Sequence, residues 1–358
     1  MRKVLFLLSL IVIGFISGSI IYKITYKLYD TSSICNLPHD NIITEASVDT
    51  SIINNKNTIT EETISKLSQY TGEKISSLSE SKFPFFCIIE NSVNSRPQSG
   101  LSEADIVYET LAEGGIPRFL ALFNNNSPKK IGPVRSVRPY FIDITKEFNL
   151  PFAHCGGSAE ALSTISSNNT LQSINEIAQT NFFWRDNDRA APHNLYTSAE
   201  NIRNFINLND LNTSSENFLK FDSAYWNYEE LNEVNFIKFS PSKNYSTNYK
   251  YTNGKYVKYM DNELAIDKNN NNPLTFKNII IQKTKISLHP DGNHININLL
   301  GYGDGYLCSN GKIEKITWSK STETSPTLIK NSSGKEVPLS SGNTIWHIID
   351  SNTELFFE

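Results

Sequence analysis

The chain of 358 residues is long enough to bury a sizeable core and to form two domains. Its contents of hydrophobic residues (39%) and aromatic residues (11%) are typical of a globular protein. The net charge of −4 argues against nucleic acid as a partner, because phosphate binding requires a concentrated basic face.

The amino terminus predicts a membrane anchor. Residues 4–22 carry no charge, and nineteen helical residues span roughly the 30 Å of a bilayer core. Arg2 and Lys3 favour a cytoplasmic amino terminus, which makes the remainder of the chain extracytoplasmic. The alternative is a cleaved signal peptide, with the small residues 17–19 as the cleavage site. Without Arg2, Lys3 and Lys23 the exported part has 30 basic and 37 acidic residues, which disfavours tight adhesion to anionic lipid.

Composition divides the exported part into three regions. Residues 23–80 are rich in Ser, Thr, Asn and Glu with little periodicity, which predicts a flexible stalk. Strand and helix patterns mix over 83–225, which predicts an α/β or α+β domain. Helical patterns stop before 234–358, which predicts a smaller, mainly β domain.

The four cysteines are widely and irregularly spaced, and this spacing indicates neither a disulfide framework nor a zinc site. Disulfides are permitted outside the cytoplasm, so the pairing of Cys35, Cys87, Cys155 and Cys308 stays open. Cys87 lies within an apolar run and is predicted to be a buried thiol.

The first predicted strands come from FPFFCIIE, residues 83–90, and from ADIVYETLAEGGIPRFLALF, residues 104–123. Gly114-Gly115 predicts a hairpin with a two-residue loop. In that register Leu111 faces Arg118, so Glu109, Glu113 and Arg118 share one otherwise apolar face.

Three helices are predicted in the first domain. The first begins at Pro139, since proline suits the first helical position. The second has Ser158 as its N-cap. The third has Thr197 and Glu200 as a capping box.

Strand patterns dominate the second domain. Asn253-Gly254, between aromatic-rich runs, predicts a type I′ hairpin. Further strands are predicted within 276–288, 294–300, 311–320 and 343–349.

Polar residues that can perform chemistry collect beside Gly and Pro, at the ends of predicted elements, where sites are usually built. We take Glu113 as the first candidate proton donor, because apolar neighbours would raise its pKa, with Glu109 as a second carboxylate. His154 and His193 are candidate general bases or hydrogen-bond donors. No third ligand accompanies the two histidines, so neither a metal nor another cofactor is predicted.

Candidate substrate-binding residues come from the same segments. The guanidinium groups of Arg118, Arg135 and Arg138 suit two-point contact with a carboxylate or phosphate. Backbone N–H groups before the helix at Ser158 suit an anion or a developing oxyanion. The candidate set is Arg118, Arg135, Arg138, Gly156, Gly157, Ser158, Arg185, Asp186 and Asn194.

Each of these residues also has a purely structural interpretation. Arg135 and Arg138 can pair with Glu109, Glu113 or Asp143 to hold the domain together. The glycines can form an ordinary turn, and the histidines can be satisfied within the core. The sequence leaves both interpretations open.

The chain resembles the YerB-like family of Gram-positive cell-envelope proteins over about residues 85–355. In the first domain the matching motifs are RPQSGLSEADIVYETLAEGGIPRFLALF, IGPVRSVRPYF, FAHCGGSAEAL and RAAPHNLYTS. In the second they are GYLCSNGKIEKITWSK and GKEVPLSSGNTIWHII. The resemblance implies a two-domain extracytoplasmic protein at the cell wall, but no mechanism, since the function of the family is largely unknown. Members are typically lipoproteins, whereas Cys35 here follows Ile34 and lacks the small residue expected before a lipidated cysteine.

These observations predict a protein of the cell membrane, held by a single pass, whose extracytoplasmic part binds peptidoglycan or a related anionic glycan. Cleavage of the glycan strand, by a hydrolase or lytic transglycosylase, would require Glu113 as the acid, and many glycosidases use two carboxylates. The alternative is a non-catalytic binding or scaffold module for wall synthases or sporulation machinery.

Overall fold

The computed structural model describes residues 66–75, 83–216, 218–228 and 230–358. The predicted membrane anchor and most of the predicted stalk lie outside these ranges. Within them, no helix is both long and apolar enough to cross a membrane. Glu62–Glu358 forms one compact unit.

The first half of this unit mixes strands and helices. Its strands are β1 (Phe85–Glu90), β2 (Ile106–Leu111), β3 (Pro117–Phe123), β4 (Phe152–His154), β5 (Ser173–Asn175), β6 (Trp184–Arg185) and β7 (Leu195–Tyr196). Its α-helices are α1 (Pro139–Phe148), α2 (Ala159–Ser167) and α3 (Ala199–Leu208).

The second half is built from strands. They are β8 (Asn232–Glu233), β9 (Phe236–Ser242), β10 (Tyr245–Thr252), β11 (Lys255–Met260), β12 (Glu263–Leu264), β13 (Thr275–Phe276), β14 (Asn278–Thr284), β15 (Ile286–Leu288), β16 (Ile295–Ile297), β17 (Gly301–Ser309), β18 (Lys312–Lys320), β19 (Leu328–Lys330), β20 (Thr344–Asp350) and β21 (Leu355–Phe357). The fold is therefore a sheet-rich α+β arrangement, as the sequence predicted.

One large sheet contains strands from both halves, in the order β19-β18-β17-β14-β20-β2-β3-β1-β4-β5. Parallel pairs join β14 to β20, β20 to β2, β1 to β4 and β4 to β5. Since β3 is antiparallel to both β1 and β2, the six strands of these parallel pairs run in one direction, and β18, beyond the antiparallel β17, also runs that way. We call the row of residues where these six strands end the carboxyl edge.

Two apolar layers cover this sheet. A second sheet, in the order β12-β11-β10-β9-β21, packs on one face through residues such as Ile237 and Phe239. Helix α1 packs on the other face through Phe141, Ile144 and Phe148.

The predicted register of the β2–β3 hairpin is wrong by one residue. Leu111 pairs with Pro117, and Thr110 pairs with Arg118. Glu113–Gly115 forms a three-residue 3₁₀ turn, with positive φ at Gly114 and Gly115, instead of the predicted two-residue loop. A shift by one residue moves a side chain to the other face of a strand. Glu109 and Arg118 therefore lie on opposite faces of the sheet.

Two of the three predicted helix starts are confirmed. Pro139 is the first residue of α1, and the Ser158 side chain accepts a hydrogen bond from Ala161 N at the start of α2. The N-cap predicted for the third helix is wrong by one residue. Ser198, rather than Thr197, caps α3, because the Thr197 hydroxyl donates to the carbonyl of Phe182 instead.

Residues 66–75 do not belong to a flexible stalk. Tyr70 is 2% exposed and packs on Phe148 with ring centroids 6.3 Å apart. Burial of an aromatic side chain supplies a free energy that can order a short segment. Residues 66–75 are therefore part of the folded unit, and the rest of the predicted stalk lies outside the described residues.

A polar network is buried between the two sheets. The Glu109 Oε2 atom lies 2.7 Å from the Lys258 Nζ atom, and both side chains are at most 2% exposed. The Lys258 ammonium also donates to the hydroxyls of Thr247 and Tyr249, each at 2.8 Å. Tyr245 donates to Glu109 Oε1 at 2.5 Å. The protein itself thus supplies the ion pair and the hydrogen bonds that these two buried charges require.

Replacement of Lys258 by Met should lower the free energy of unfolding of residues 62–358 by about 3–5 kcal/mol, because it leaves the Glu109 carboxylate buried without a cation. Urea unfolding measures this change. The double variant Glu109→Gln/Lys258→Met should lose less than the sum of the single variants. As a control, Lys312→Met breaks the exposed pair with Glu233 and should cost no more than about 1 kcal/mol. Similar losses for Lys258→Met and Lys312→Met would contradict this account.

Candidate functional site

The carboxyl edge brings together residues that are far apart in the sequence. Glu90 ends β1, Glu113 follows β2, and Arg118 lies at the start of the antiparallel strand β3. In sheets of parallel strands, ligands bind outside the carboxyl ends. The carboxyl edge is therefore the first candidate for a ligand-binding site.

The segment of residues 132–138 is fastened along this edge by backbone hydrogen bonds. Glu90 N donates to Pro133 O, Arg135 N donates to Ile88 O, and Cys155 N donates to Arg135 O, at 2.9–3.0 Å. The segment thus runs between the ends of β1 and β4. These bonds fix the positions of Arg135 and Arg138.

Three arginines and two glutamates form what we call the arginine cluster: Arg118, Arg135, Arg138, Glu90 and Glu113. Glu113 accepts from Arg118 Nη2 at 2.9 Å and also from Arg138 Nε. Glu90 is held by Arg135, with Nε 2.8 Å from Oε2 and Nη2 3.1 Å from Oε1. The three guanidinium groups exceed the two carboxylates by one positive charge.

Part of the arginine cluster is accessible. The side chain of Arg135 is 24% exposed, that of Arg118 15% and that of Arg138 10%. Among the described residues, no hydrogen bond uses Arg135 Nη1 or Arg138 Nη2. These donors can serve an added anion while both glutamates keep their partners.

The pKa of Glu113 is lowered, which corrects the sequence-based expectation. Burial by itself would raise the pKa of this carboxyl, but the hydrogen bond from Arg138 and the charges of Arg118 and Arg138 outweigh burial. The pKa of Glu90 is lowered in the same way, where burial is outweighed by Arg135. Both carboxylates are ionised at neutral pH and neither is prepared to donate a proton.

Two histidines lie beside the arginine cluster. His193, a predicted site residue, places Nδ1 2.8 Å from Glu90 Oε1. His294 places Nε2 3.6 Å from Glu113 Oε1 and comes from the loop between β15 and β16 in the second half. The sequence does not predict Glu90 or His294 as site residues. Strand pairing places Glu90 beside Arg118, and tertiary folding places the β15–β16 loop, with His294, beside Glu113.

Burial is incompatible with the predicted catalytic roles of Glu109 and His154. Glu109 is 2% exposed and belongs to the network between the sheets. His154 is fully buried, with Nδ1 2.8 Å from Gly156 O and Nε2 2.7 Å from Ser173 Oγ. A carbonyl only accepts, so Nδ1 carries the proton and Nε2 accepts from the serine. Burial lowers the pKa of His154 to about 4, so the ring is neutral.

The remaining predicted binding residues mainly hold loops in place. Gly156 N donates to Asn175 Oδ1, and a Cβ atom at Gly157 would lie 2.8 Å from Val137 Cγ1. The Ser158 hydroxyl caps α2. Arg185 donates to Asn194 Oδ1 at 2.9 Å, and Asp186 pairs with Lys130. The 156–158 turn lies beside the cluster, whereas these contacts give the 185–194 loop a structural role.

The arginine cluster is a surface feature. Cavities of about 740, 490 and 380 Å³ lie elsewhere in the described part of the chain, and cluster residues line none of these three. Within the same ranges, no group of three or more His, Cys, Asp or Glu is arranged to hold a metal ion. The geometry suits contact with an anion at the surface.

Comparison with known proteins defines the family. Residues 70–212 match the model described as "Protein of unknown function (DUF3048) N-terminal domain", and residues 235–346 match the corresponding C-terminal domain. "Putative lipoprotein YerB" of Bacillus subtilis (strain 168) is 30% identical over 285 residues, which cover 78% of this chain and 85% of that protein. The crystal structure of YerB from Bacillus subtilis matches with a TM-score of 0.73 and 28% identity, over 81% of this chain and 99% of that chain. The chain belongs to the DUF3048, or YerB-like, family, as its motifs predicted.

The buried His154 should make stability fall as the pH falls from about 6.5 to about 4. The unfolded chain takes up a proton with a pKa of 6.5, whereas the folded state resists protonation down to about 4. The shift corresponds to about 3 kcal/mol of stability, present above pH 6.5 and lost on acidification. Urea unfolding at pH 7 and pH 4.5 should show a smaller loss for His154→Gln than for the unsubstituted chain. Equal losses would contradict a buried neutral ring.

Proposed function

We propose that this chain is an extracytoplasmic envelope protein that binds peptidoglycan through the arginine cluster and does not cleave it. Family membership supports the location, because the relative from Bacillus subtilis is described as "Putative lipoprotein YerB". The apolar residues 4–22 would hold this chain at the membrane as a single-pass helix. The folded unit would then lie on the side of the cell wall.

The observation that carries the binding proposal is the excess positive charge at the carboxyl edge. Three guanidinium groups face two carboxylates there, in a chain whose net charge is negative. Peptidoglycan carries carboxylates on its peptides, and on its lactyl ethers wherever the peptide has been removed. A planar guanidinium binds a carboxylate by two parallel hydrogen bonds, which gives direction as well as charge.

The ionisation and burial of the candidate carboxylates favour binding of peptidoglycan over its cleavage. A glycosidase needs an acid that is protonated at its working pH, and usually a second carboxylate across the scissile bond. The pKa of Glu113 is lowered, mainly because the hydrogen bond and charge of Arg138 and the charge of Arg118 outweigh burial. Glu109 lies in the interior and is out of reach of a glycan strand. We therefore assign no hydrolase or transglycosylase step to these residues.

Substitution of Arg135 by Gln should weaken binding of residues 62–358 to purified peptidoglycan about tenfold or more, because it removes one charge-assisted contact. Sedimentation with the insoluble wall at increasing protein concentration measures the affinity. Arg135→Lys, which keeps the charge and loses the second hydrogen bond, should be intermediate. The control Lys315→Gln removes an exposed charge from β18 and should bind as the unsubstituted protein does. Unchanged binding by a folded Arg135→Gln variant would refute the proposed role of the cluster.

The Glu113→Gln variant distinguishes a binding site from a catalytic site. It removes a negative charge and frees Arg118 and Arg138, so peptidoglycan should bind equally well or a few times more tightly. Mass spectrometry of the supernatant should show no wall fragments released by either protein. Fragments that appear with the unsubstituted chain and vanish with a folded Glu113→Gln variant would establish cleavage instead.

A further inference from the structure

A second candidate site lies where three parts of the chain meet. A cavity of about 380 Å³, which we call the junction cavity, is lined by residues 71–75, by residues of the first half near Asp105, and by residues of the second half near Lys277. Its volume is at the lower end of the range for ligand sites, roughly 300–1,000 Å³. The cavity therefore suits a small molecule better than a polymer.

One side of the junction cavity is basic. Lys255 and Lys277 both line it, and neither forms an ion pair within the described ranges. The pKa of Lys277 is lowered, first by burial and then by the positive charge of Lys255. A Cβ atom at Gly342 would lie 2.6 Å from Lys277 Cβ, so glycine at this position makes room for the lysine stem. The ammonium donates only to neutral oxygens, Gly254 O at 3.1 Å and Asn310 Oδ1 at 3.4 Å.

The junction cavity is also lined by two carboxylates, those of Asp105 and Glu73, and by Lys74 beside Glu73. Asp105 is 2% exposed, and its Oδ2 atom accepts from the backbone N–H groups of Asn124 at 2.6 Å and Asn125 at 3.1 Å. Its Oδ1 atom accepts no hydrogen bond from another described residue, and no described cation forms an ion pair with the carboxylate, although the positive charge of Arg203 acts on it. Glu73 also lines the cavity, and its negative charge acts on Asp105. A buried carboxylate without a cation is costly, and an added cation would relieve that cost.

Thr71 separates the two sides. Its carbonyl accepts from Gly342 N at 2.7 Å on the lysine side. Its hydroxyl oxygen accepts from Asn125 Nδ2 at 3.1 Å on the aspartate side. The two charged groups therefore lie on opposite sides of Thr71 and line one cavity. The cavity thus has ammonium groups on one side of Thr71 and carboxylates on the other. A ligand with one negative and one positive charge would complement both sides.

We propose that the junction cavity binds a small zwitterion, an amino acid or dipeptide with a free amine and a free carboxylate. The amine pairs with Asp105 and Glu73, and the carboxylate pairs with Lys255 and Lys277. The arginine cluster lines no part of this cavity. The site is thus distinct from the surface proposed to bind peptidoglycan.

Isothermal titration calorimetry of residues 62–358 with alanyl-alanine, in its L,L and D,D forms, tests the proposal. At least one form should bind, and N-acetylation of its amine or amidation of its carboxylate should each weaken binding about tenfold or more. Absence of binding by both forms, or equal binding of the free and blocked dipeptides, would overturn the proposal.

Variants assign the binding to this cavity. Lys277→Gln and Lys255→Gln should each weaken binding of the free dipeptide, while the control Lys315→Gln leaves it unchanged. Among the described residues, the Lys277 ammonium donates only to Gly254 O and Asn310 Oδ1, so its removal should leave the fold intact, which thermal unfolding checks. Arg135→Gln should leave dipeptide binding intact, which separates this result from the outcome for the peptidoglycan surface. Dipeptide binding that survives both lysine substitutions would also overturn the proposal.

Discussion

The Glu109 carboxylate and the Lys258 ammonium lie 2.7 Å apart in the layer between the two sheets, and the arrangement of the chain depends on their pairing. Glu109 belongs to β2 of the large sheet, whereas Lys258 belongs to β11 of the smaller one. Removal of two charges from water is costly, and only good geometry with further hydrogen bonds offsets that cost. Tyr245, Tyr249 and Thr247 provide those bonds. The smaller sheet can therefore pack on the larger one in one register, since any slip would leave a buried charge unpaired.

The pairing of Glu109 with Lys258 joins the two halves of the folded unit, which also share one core. Strands β14 and β20 from the second half insert beside β2 and run parallel to it. Because they extend the row of parallel strands, the carboxyl edge includes residues from both halves. His294 can thus stand 3.6 Å from Glu113 although 180 positions separate them in the sequence. A ligand at this edge would contact a surface that neither half forms alone.

The arginine cluster shows how one set of charges can be structural and still recognise a ligand. Glu90 and Glu113 hold the guanidinium groups in place, and the positive excess remains at the surface. The same pairing keeps both carboxylates ionised, because the guanidinium groups outweigh the effect of burial on the pKa. An ionised, paired carboxylate suits binding better than acid catalysis. The structural interpretation of Arg138, which the sequence left open, is therefore correct for its contact with Glu113 and compatible with a role in binding, whereas Arg135 pairs with Glu90, which was not a predicted partner.

Local patterns in the sequence determined the elements of this protein. The apolar run that ends at Glu90, Pro139 at the start of α1, Ser158 as a helix cap and the Asn253-Gly254 turn each act through neighbours along the chain, so the sequence alone predicted them. Tertiary structure decided the rest. The hairpin has a three-residue turn in place of the predicted two-residue loop, so Arg118 and Glu109 lie on opposite faces of the sheet. His154 and Glu109, which the sequence offered as candidate catalytic residues, are buried and make structural contacts in the core. Burial and partner choice depend on residues brought together from distant parts of the chain, and no local pattern encodes them.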